Sequence, residues 1–132
     1  MKYLLDTNIC IYIIKQNPKN VLARFDALQI GDVAISSVTL AELSYGVEKS
    51  QHDVKNRAAL EEFILPLELV LFDKEATNHY GKIRAFLEKQ GTLIGPLDLM
   101  IAAHALSLNL TLVTNNTKEF ARVPHLKLEN WV

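Results

Sequence analysis

Four acidic residues occupy positions at which a predicted strand ends or a predicted helix begins: Asp6, Glu42, Asp98 and Glu119. Asp6 follows the apolar tripeptide Tyr-Leu-Leu without a break, at the end of the first predicted strand. In open α/β sheets the binding crevice lies beyond the carboxyl ends of the strands. We therefore expect these carboxylates to meet at one edge of a sheet.

Three of these acids also have a structural explanation when each is taken alone. Asp6 could form an Asx-turn or cap the helix that follows it. The segments TLAE (residues 39–42) and NTKE (residues 116–119) both fit the capping-box pattern, in which the acid bonds back to the first amide of its helix. For Asp6, Glu42 and Glu119 taken singly, the structural and the functional explanation both remain open.

Asp98 is the hardest of the four to explain by local structure. It lies in the apolar run PLDLMI, near the start of a helix that is apolar almost all round. Removing a carboxylate from water is costly without a partner, and a helix N-terminus returns only about 0.3–1 kcal/mol at an exposed site. His104 is six residues further on and faces another side of the helix, so we predict a core or helix-surface histidine rather than a partner.

Taken together, the acids predict a metal site. Clustered carboxylates repel one another and need protons or a cation. A set of oxygen ligands without cysteine suits Mg²⁺ or Mn²⁺ rather than structural zinc. Mg²⁺ commonly binds one or two carboxylates together with a substrate phosphate, so the chemistry that fits this pattern is metal-assisted hydrolysis of a phosphodiester.

The elements that must position these acids alternate along the chain. Apolar runs predict strands at residues 4–5, 33–36, 67–72, 110–114 and 126–128. Helical periodicity predicts helices at residues 8–15, 21–28, 39–49, 54–65, 75–90, 97–108 and 117–120. Strands separated by helices indicate a three-layer α/β/α architecture with a central, mostly parallel sheet.

Length and composition limit the class of protein. A chain of 132 residues with 49% hydrophobic and 22% charged residues suits one globular domain, expected to span residues 1–132. Fourteen basic and fifteen acidic residues leave net charge near zero, so global charge gives no sign of nucleic-acid binding. The single Cys10 is predicted to pack in the core. With no leader pattern and no apolar run of about 20 residues, we expect a cytoplasmic protein outside the membrane.

Several longer segments resemble one family across essentially the whole chain. They are LLDTNICIYIIK, ISSVTLAELSYGVEKS, IGPLDLMIAAHA and LVTNNTKEF, followed by Trp131 near the C-terminus. In this order they resemble the PIN-domain ribonucleases, specifically the VapC toxins of bacterial type II toxin–antitoxin systems. The resemblance implies a single PIN-like nuclease domain, and it places Asp6, Glu42 and Asp98 on the first three acidic positions of the family.

The resemblance also implies a function. Such toxins are Mg²⁺- or Mn²⁺-dependent endoribonucleases that arrest translation by cutting structured RNA such as tRNA or rRNA. They form homodimers and are inhibited by a cognate VapB-type antitoxin. The chain is most similar to enteric-type toxins that attack the anticodon loop of initiator tRNA.

One position departs from the family pattern. Many members have Thr-Asn-Asp where this chain has Thr114-Asn115-Asn116, so the usual fourth acid is an amide. Either Glu119 supplies the missing charge, or three acids act with Asn116 as a neutral oxygen ligand. This departure leaves open whether one or two metal ions bind.

The mechanism we expect assigns a role to each acid and to its polar neighbours. Asp6 and Asp98 hold the metal, while Glu42 orients the attacking water. Hydrogen bonds from polar neighbours would fix the acids, and the candidates are Thr7, Asn8, Thr114 and Asn116. A basic rim would hold the RNA backbone, although each cation taken singly fits a solvated surface as well. The candidates are Lys49, Arg84, Lys89, Lys118 and Arg122.

Two other classes of protein remain alternatives. A phospho-acceptor signalling domain also places aspartates at strand ends around Mg²⁺. Such domains usually pair acids after the first strand, whereas Asp6 stands alone and Asp73, after the middle strand, has no obvious partners. A non-catalytic interaction module would tolerate neutralisation of Asp6 and Asp98.

Overall fold

A computed structural model describes residues 1–132, and it contains a five-stranded sheet with helices on both faces. The strands are β1 (Tyr3–Leu5), β2 (Val33–Ser36), β3 (Glu68–Val70), β4 (Thr111–Val113) and β5 (Leu128–Glu129). The helices are α1 (Thr7–Lys15), α2 (Lys19–Asp26), α3 (Ser37–Lys49), α4 (Asp53–Ile64), α5 (Lys74–Gln90), α6 (Pro96–Leu108) and α7 (Thr117–Phe120).

The strand order is β3-β2-β1-β4-β5, and every neighbouring pair is parallel. The chain starts in the middle of the sheet, moves outwards through β2 and β3, and returns to the other side of β1 with β4. The topological switch point therefore lies between β1 and β4, where α/β folds place their ligands. The predicted three-layer α/β/α architecture is confirmed, and its sheet is wholly parallel.

Two apolar clusters hold the three layers together, one on each face of the sheet. On one face Leu4 of β1 packs with the inner sides of α5 and α6. On the other face Leu5 packs with α1, α3 and α4, and Cys10 is fully buried there as predicted. Because neighbouring residues of a strand point to opposite faces, a three-residue strand is enough to anchor both layers and to fix Asp6 at its end.

Most predicted helix bounds agree with the structure to within two residues. Asn109 ends α6 with a left-handed backbone at φ 55°, as a C-capping residue does. Strand β3 is shorter than predicted, because it lies at the sheet edge and Leu69 is 47% exposed. Strand β5 begins at Leu128 rather than at residue 126. None of the helices combines the length and the apolar character needed to cross a lipid bilayer.

Candidate active site

Asp6 lies at the switch point with both carboxylate oxygens held by hydrogen bonds. It is only 5% exposed and is the N-cap residue of α1. The backbone amide of Thr7 donates to its Oδ1 at 2.7 Å, and the hydroxyl of Thr114, just beyond β4, donates to its Oδ2 at 2.8 Å. The structural explanation of Asp6 as a helix cap is therefore confirmed, and the residue also lies in the crevice between β1 and β4, where the functional explanation requires it.

Glu42 reaches the same place from α3, and the capping-box interpretation of this residue is wrong. Helix α3 begins at Ser37, and Ser36 caps it by accepting the amide of Val38 at 3.0 Å. Glu42 is thus a full turn inside the helix, where its Oε1 accepts the hydroxyl of Thr7 at 2.8 Å. The Thr39 hydroxyl is buried without a hydrogen-bond partner.

A buried contact links the helix of Glu42 to the helix of Asp98. The ring nitrogen Nδ1 of His104, in α6, lies 2.8 Å from the Ser36 hydroxyl that caps α3. Burial lowers the pKa of His104 and so favours the neutral ring. The ring edge also meets Phe72 at 5.4 Å between centroids. His104 is therefore a core histidine, as predicted, and it ties together the two helices that carry acids.

Asp98 and Glu119 complete the group, and Glu119 reaches the start of the helix that carries Asp98. Asp98 lies in the first turn of α6. Glu119 Oε1 accepts the backbone amide of Gly95, the N-cap of α6, at 3.2 Å, and its Oε2 accepts the side-chain amide of Asn116. The side chain of Asn116 makes no capping bond to α7. The predicted capping box at residues 116–119 is therefore wrong, because Glu119 joins two loops instead.

The four carboxylates repel one another. Burial, followed by the charges of Asp6, Glu119 and Glu42 and a hydrogen bond with Glu119, together raise the pKa of Asp98 from 3.8 to about 6. Burial also raises the pKa of Asp6, against the lowering effect of its bonds to Thr114 and Thr7. None of the three ion pairs in the protein involves these acids. Their charge is therefore not balanced by any side chain.

The donor set fits a hard divalent cation. Its members are carboxylate, hydroxyl and amide oxygens, and such oxygens are the ligands that Mg²⁺ and Mn²⁺ prefer. No three His, Cys, Asp or Glu side chains form a ready-made coordination group as they are placed. Mg²⁺ does not need such a cage, because it keeps several waters and binds one or two carboxylates. A cation would also relieve the repulsion that raises the pKa of Asp98.

The remaining candidate residues are spread around this centre. Asn8 is exposed beside Thr7 on the wall of a groove, and Lys49 lies further along the same groove. Lys118 is on α7, and Arg122 donates to the carbonyl of Leu93 at 3.3 Å. Two predicted rim residues lie on α5, namely Arg84 and Lys89, and neither bonds to an acid of the site. Arg84 instead pairs with Glu88 at 3.0 Å.

Comparison with known proteins assigns the family. The PIN domain model matches residues 3–126, and relatives that bear the name VapC match nearly the whole chain. The chain belongs to the VapC group of the PIN-domain family. The tRNA(fMet)-specific endonuclease VapC of Shigella flexneri is 50% identical over 131 residues, which are 99% of this chain and 98% of that protein. Ribonuclease VapC2 of Rickettsia felis is 48% identical over 132 residues, which are 99% of this chain and 98% of that protein.

Solved structures of VapC complexes share the fold. The crystal structure of VapBC2 from Rickettsia felis, bound to a DNA fragment from its promoter, matches with a TM-score of 0.94 at 46% identity, covering 100% of both chains. The DNA-bound VapBC of Salmonella typhimurium matches with a TM-score of 0.94 at 47% identity, covering 100% of this chain and 99% of that chain. PIN-domain ribonucleases generally depend on a divalent metal, which agrees with the donor set of this VapC site.

Sequence reasoning named Thr7 as a hydrogen-bond partner of the acids without naming Glu42 as its acceptor, and it missed the contact of Ser36 with His104 in the VapC site. The bond from Thr7 to Glu42 joins residues 35 positions apart, and the contact of Ser36 with His104 spans 68 positions. For the second contact the sequence carries a usable signal, because Ser36 and Ser37 precede the helix as alternative N-caps to Thr39. For the bond between Thr7 and Glu42, the only signal in the sequence is the position of Thr7 directly after Asp6.

Proposed function

We propose that this protein is a divalent-metal-dependent endoribonuclease, using Mg²⁺ or Mn²⁺, and the toxin of a type II toxin–antitoxin pair. Its proposed substrate is initiator tRNA, the target that the name of the Shigella relative gives, and the proposed cut lies in the anticodon loop. The observation that carries the proposal is the convergence of four carboxylates without a balancing cation at the switch point of the sheet. Residues 1–132 would form a single nuclease domain.

Each side chain has a proposed role in the reaction. Asp6 and Asp98 would hold the metal, whose chemistry is to polarise the scissile phosphate and to acidify a bound water. Glu42, held by Thr7, would orient the attacking water and accept its proton. Thr114 fixes Asp6, and Asn8 lies at the entrance beside Thr7. The backbone rim would comprise Lys49, Lys118 and Arg122, with Arg84 and Lys89 further out on α5.

Replacing Thr7 with Val tests the role of Glu42. The change keeps the shape of the side chain but removes the hydroxyl that holds Glu42 Oε1 at 2.8 Å. We expect single-turnover RNA cleavage to fall about 10- to 100-fold, as is typical when a partner that orients a catalytic ligand is lost. Thr7→Ser, which keeps the hydroxyl, is the matched control and should cleave at nearly the wild-type rate. Equal cleavage rates for Thr7→Val and Thr7→Ser would contradict the proposal that the Thr7 hydroxyl holds Glu42 in its catalytic position.

Replacing Glu119 with Gln tests which residue fills the fourth position. Gln keeps an acceptor for the Gly95 amide, and an amide flip of Asn116 can restore their mutual bond. The change therefore removes charge while it preserves the loop contacts. We expect slower cleavage at limiting Mg²⁺ or Mn²⁺, partial rescue at high metal concentration and little change in melting temperature. Unchanged rates across a metal titration would assign Glu119 a purely structural role and leave a three-acid site.

The proposed partner is a VapB-type antitoxin, as in the VapBC complexes that share this fold. An uncompensated acidic crevice is a receptor for arginine, whose planar guanidinium bonds carboxylates in pairs. The inhibitory segment of the antitoxin is therefore expected to place an arginine near Asp6, Glu42 and Asp98. A homodimer is proposed from the same family, and a cytoplasmic location follows from a tRNA substrate.

The decisive experiment is cleavage of purified RNA by purified protein. Initiator tRNA should be cut at one position in the anticodon loop with Mg²⁺ or Mn²⁺ and left intact with EDTA. Elongator methionine tRNA is the matched control substrate. Phosphorylation by acetyl phosphate with Mg²⁺, without any RNA cleavage, would instead support a phospho-acceptor domain. Growth arrest that survives neutralisation of both Asp6 and Asp98 would support an interaction module.

A further inference from the structure

A groove of about 860 Å³ runs from the acidic group between α1, α3 and α6. Its α3 wall carries Glu42, Tyr45 and Lys49, and its α6 wall carries Leu97 and Met100. Glu42 lines the groove directly, with Thr7 that holds it, and Asp98 follows Leu97 in the chain. The groove is therefore continuous with the proposed reaction centre through Glu42 and the polar Thr7, Asn8 and Ser37. The rest of its lining has a different character, with one aromatic ring, one cation and apolar side chains.

Tyr45 is placed to present its ring to an occupant of this groove. It follows Glu42 by three residues, so both lie on the same face of α3 about one turn apart. Its side chain is 66% exposed, although a tyrosine ring gains from burial. The phenol makes no hydrogen bond within the protein. Neither the core nor a polar contact explains why an aromatic residue occupies this position.

Lys49 completes the arrangement on the same helix face. Its ammonium nitrogen lies 5.1 Å from the centroid of the Tyr45 ring, within the range of a cation–π contact. This contact holds the only cation of the groove beside its only aromatic ring. Opposite them, Leu97 is 45% exposed although the rest of α6 is mostly buried. The groove thus offers one π face, one positive charge and an apolar facing wall.

These features match one unpaired nucleotide. Proteins that bind single-stranded nucleic acid combine cations that meet the backbone with aromatic rings on which bases stack. We infer that Tyr45 and Lys49 form a base-stacking subsite, in which Tyr45 stacks one unpaired base next to the scissile phosphate and Lys49 meets the adjoining phosphate. The inference rests on the proposed function. It gives a physical reason for cutting in a loop, because a paired base cannot leave its helix to reach the ring.

The first test compares variants by kinetics on a synthetic RNA hairpin with the initiator anticodon stem-loop sequence. Tyr45→Leu removes the π face and should raise KM about 5- to 150-fold, the range found when a base–aromatic stack is lost. The maximal single-turnover rate should change less than threefold, because the acids are untouched. Tyr45→Phe should retain the wild-type KM. Phe86→Leu, at an exposed aromatic residue on α5 outside the groove, is the matched control.

The second test identifies the base. Hairpins that lack a single base at each loop position in turn should reveal one position, beside the cut, where wild-type KM rises by a similar factor. Tyr45→Leu should be insensitive to loss of that same base, because the stack is already absent. The proposal is wrong if Tyr45→Leu behaves like Phe86→Leu, or if every missing base affects both proteins equally.

Binding measurements separate this inference from the proposed function. In an Asp98→Asn background, fluorescence anisotropy of the labelled hairpin should show weaker binding for Tyr45→Leu than for Phe86→Leu. If that difference appears while wild-type protein cuts no RNA, the subsite stands and the nuclease proposal fails. If wild-type protein cuts RNA and the difference is absent, the subsite fails alone. Weaker antitoxin binding with unchanged RNA binding would assign the groove to a protein partner and overturn the subsite.

Discussion

Asp98→Asn is expected to reduce RNA cleavage about 100-fold or more and, in the same protein, to raise the free energy of unfolding in the absence of metal. Loss of a group that merely orients a metal ligand already lowers activity about 10- to 100-fold, and loss of a proposed ligand should cost at least as much. The gain in stability follows from the electrostatics of the acidic group. Asn keeps the size of the side chain and can still donate to Glu119.

The stability effect has a defined dependence on pH. The pKa of Asp98 is 3.8 in the unfolded chain and about 6 in the folded protein. The folded state therefore binds this proton more tightly, so the stability that protonation confers is complete below about pH 4 and is lost as pH rises to about 6. After allowance for solvent screening, Asp98→Asn should be more stable by about 1 kcal/mol above pH 6.

Urea unfolding in EDTA at several pH values measures this effect. The curves of wild type and Asp98→Asn should converge near pH 4 and separate above pH 6. Glu62→Gln, an exposed acid of α4 without a hydrogen bond or ion pair, is the control for net charge alone. Added Mg²⁺ or Mn²⁺ should stabilise wild type more than Asp98→Asn, because only the intact site binds the ion tightly. Cleavage by Asp98→Asn at the wild-type rate would show that Asp98 does not belong to the active site.

The positions of Asp6 and Asp98 could be predicted from sequence because they depend on local pattern and one topological rule. An apolar strand that ends in a carboxylate, and a carboxylate at the start of an apolar helix, are visible within six residues. The rule that parallel strands share a carboxyl edge then brings their ends together. The same local logic placed Cys10 in the core and left His104 as a core or helix-surface histidine, of which the structure shows the first.

The contacts of Glu42 and Glu119 could not be predicted, because their partners are distant in the chain. Glu42 bonds to Thr7 and Glu119 to the amide of Gly95, across 35 and 24 residues. The local alternative, a capping box, fitted both sequences and was wrong in both places. Capping patterns describe what a segment can do alone, whereas tertiary packing decides whether the acid turns back to its own helix or reaches across the crevice.

The edges of the sheet were predicted less well than its centre. The apolar run at residues 67–72 predicted a long strand, but β3 has three residues, and Leu71 is 70% exposed. An apolar run in the sequence shows which residues could be buried. It does not show whether the strand has a neighbouring strand on both sides. The central strands β1, β2 and β4 have a partner on each side, and their predicted and observed positions agree closely.

Asp6→Asn should abolish cleavage as Asp98→Asn does, but it should lower stability instead of raising it. Asp6 is nearly inaccessible, and its two oxygens accept the Thr7 amide and the Thr114 hydroxyl. An amide side chain offers one acceptor oxygen, which can keep the bond from the Thr7 amide, while its NH2 group faces the Thr114 hydroxyl. That hydroxyl must then turn its own hydrogen away from its acceptor, at a cost of about 1–3 kcal/mol for a buried group. Relief of the charge repulsion that raises the pKa of Asp6 offsets part of this cost. A net loss of about 1 kcal/mol is therefore expected at pH 7.5 in EDTA.

The double variant Asp6→Asn/Thr114→Val separates the hydrogen bonds from the charge. Thr114→Val removes the bond to Asp6 and also the bond that the backbone amide of Asn116 donates to the Thr114 hydroxyl at 3.0 Å. The second loss is the same in both backgrounds, so Thr114→Val should cost less stability in Asp6→Asn than in wild type, because a hydrogen bond to a charged group contributes more than one to an amide. Cleavage should stay absent in the double variant. If Asp6→Asn alone is stabilised as much as Asp98→Asn, the threonine contacts do not hold Asp6 in solution. Burial and charge repulsion, which together raise the pKa of Asp98 at the start of α6, would then outweigh the hydrogen bonds of Asp6 at the strand end.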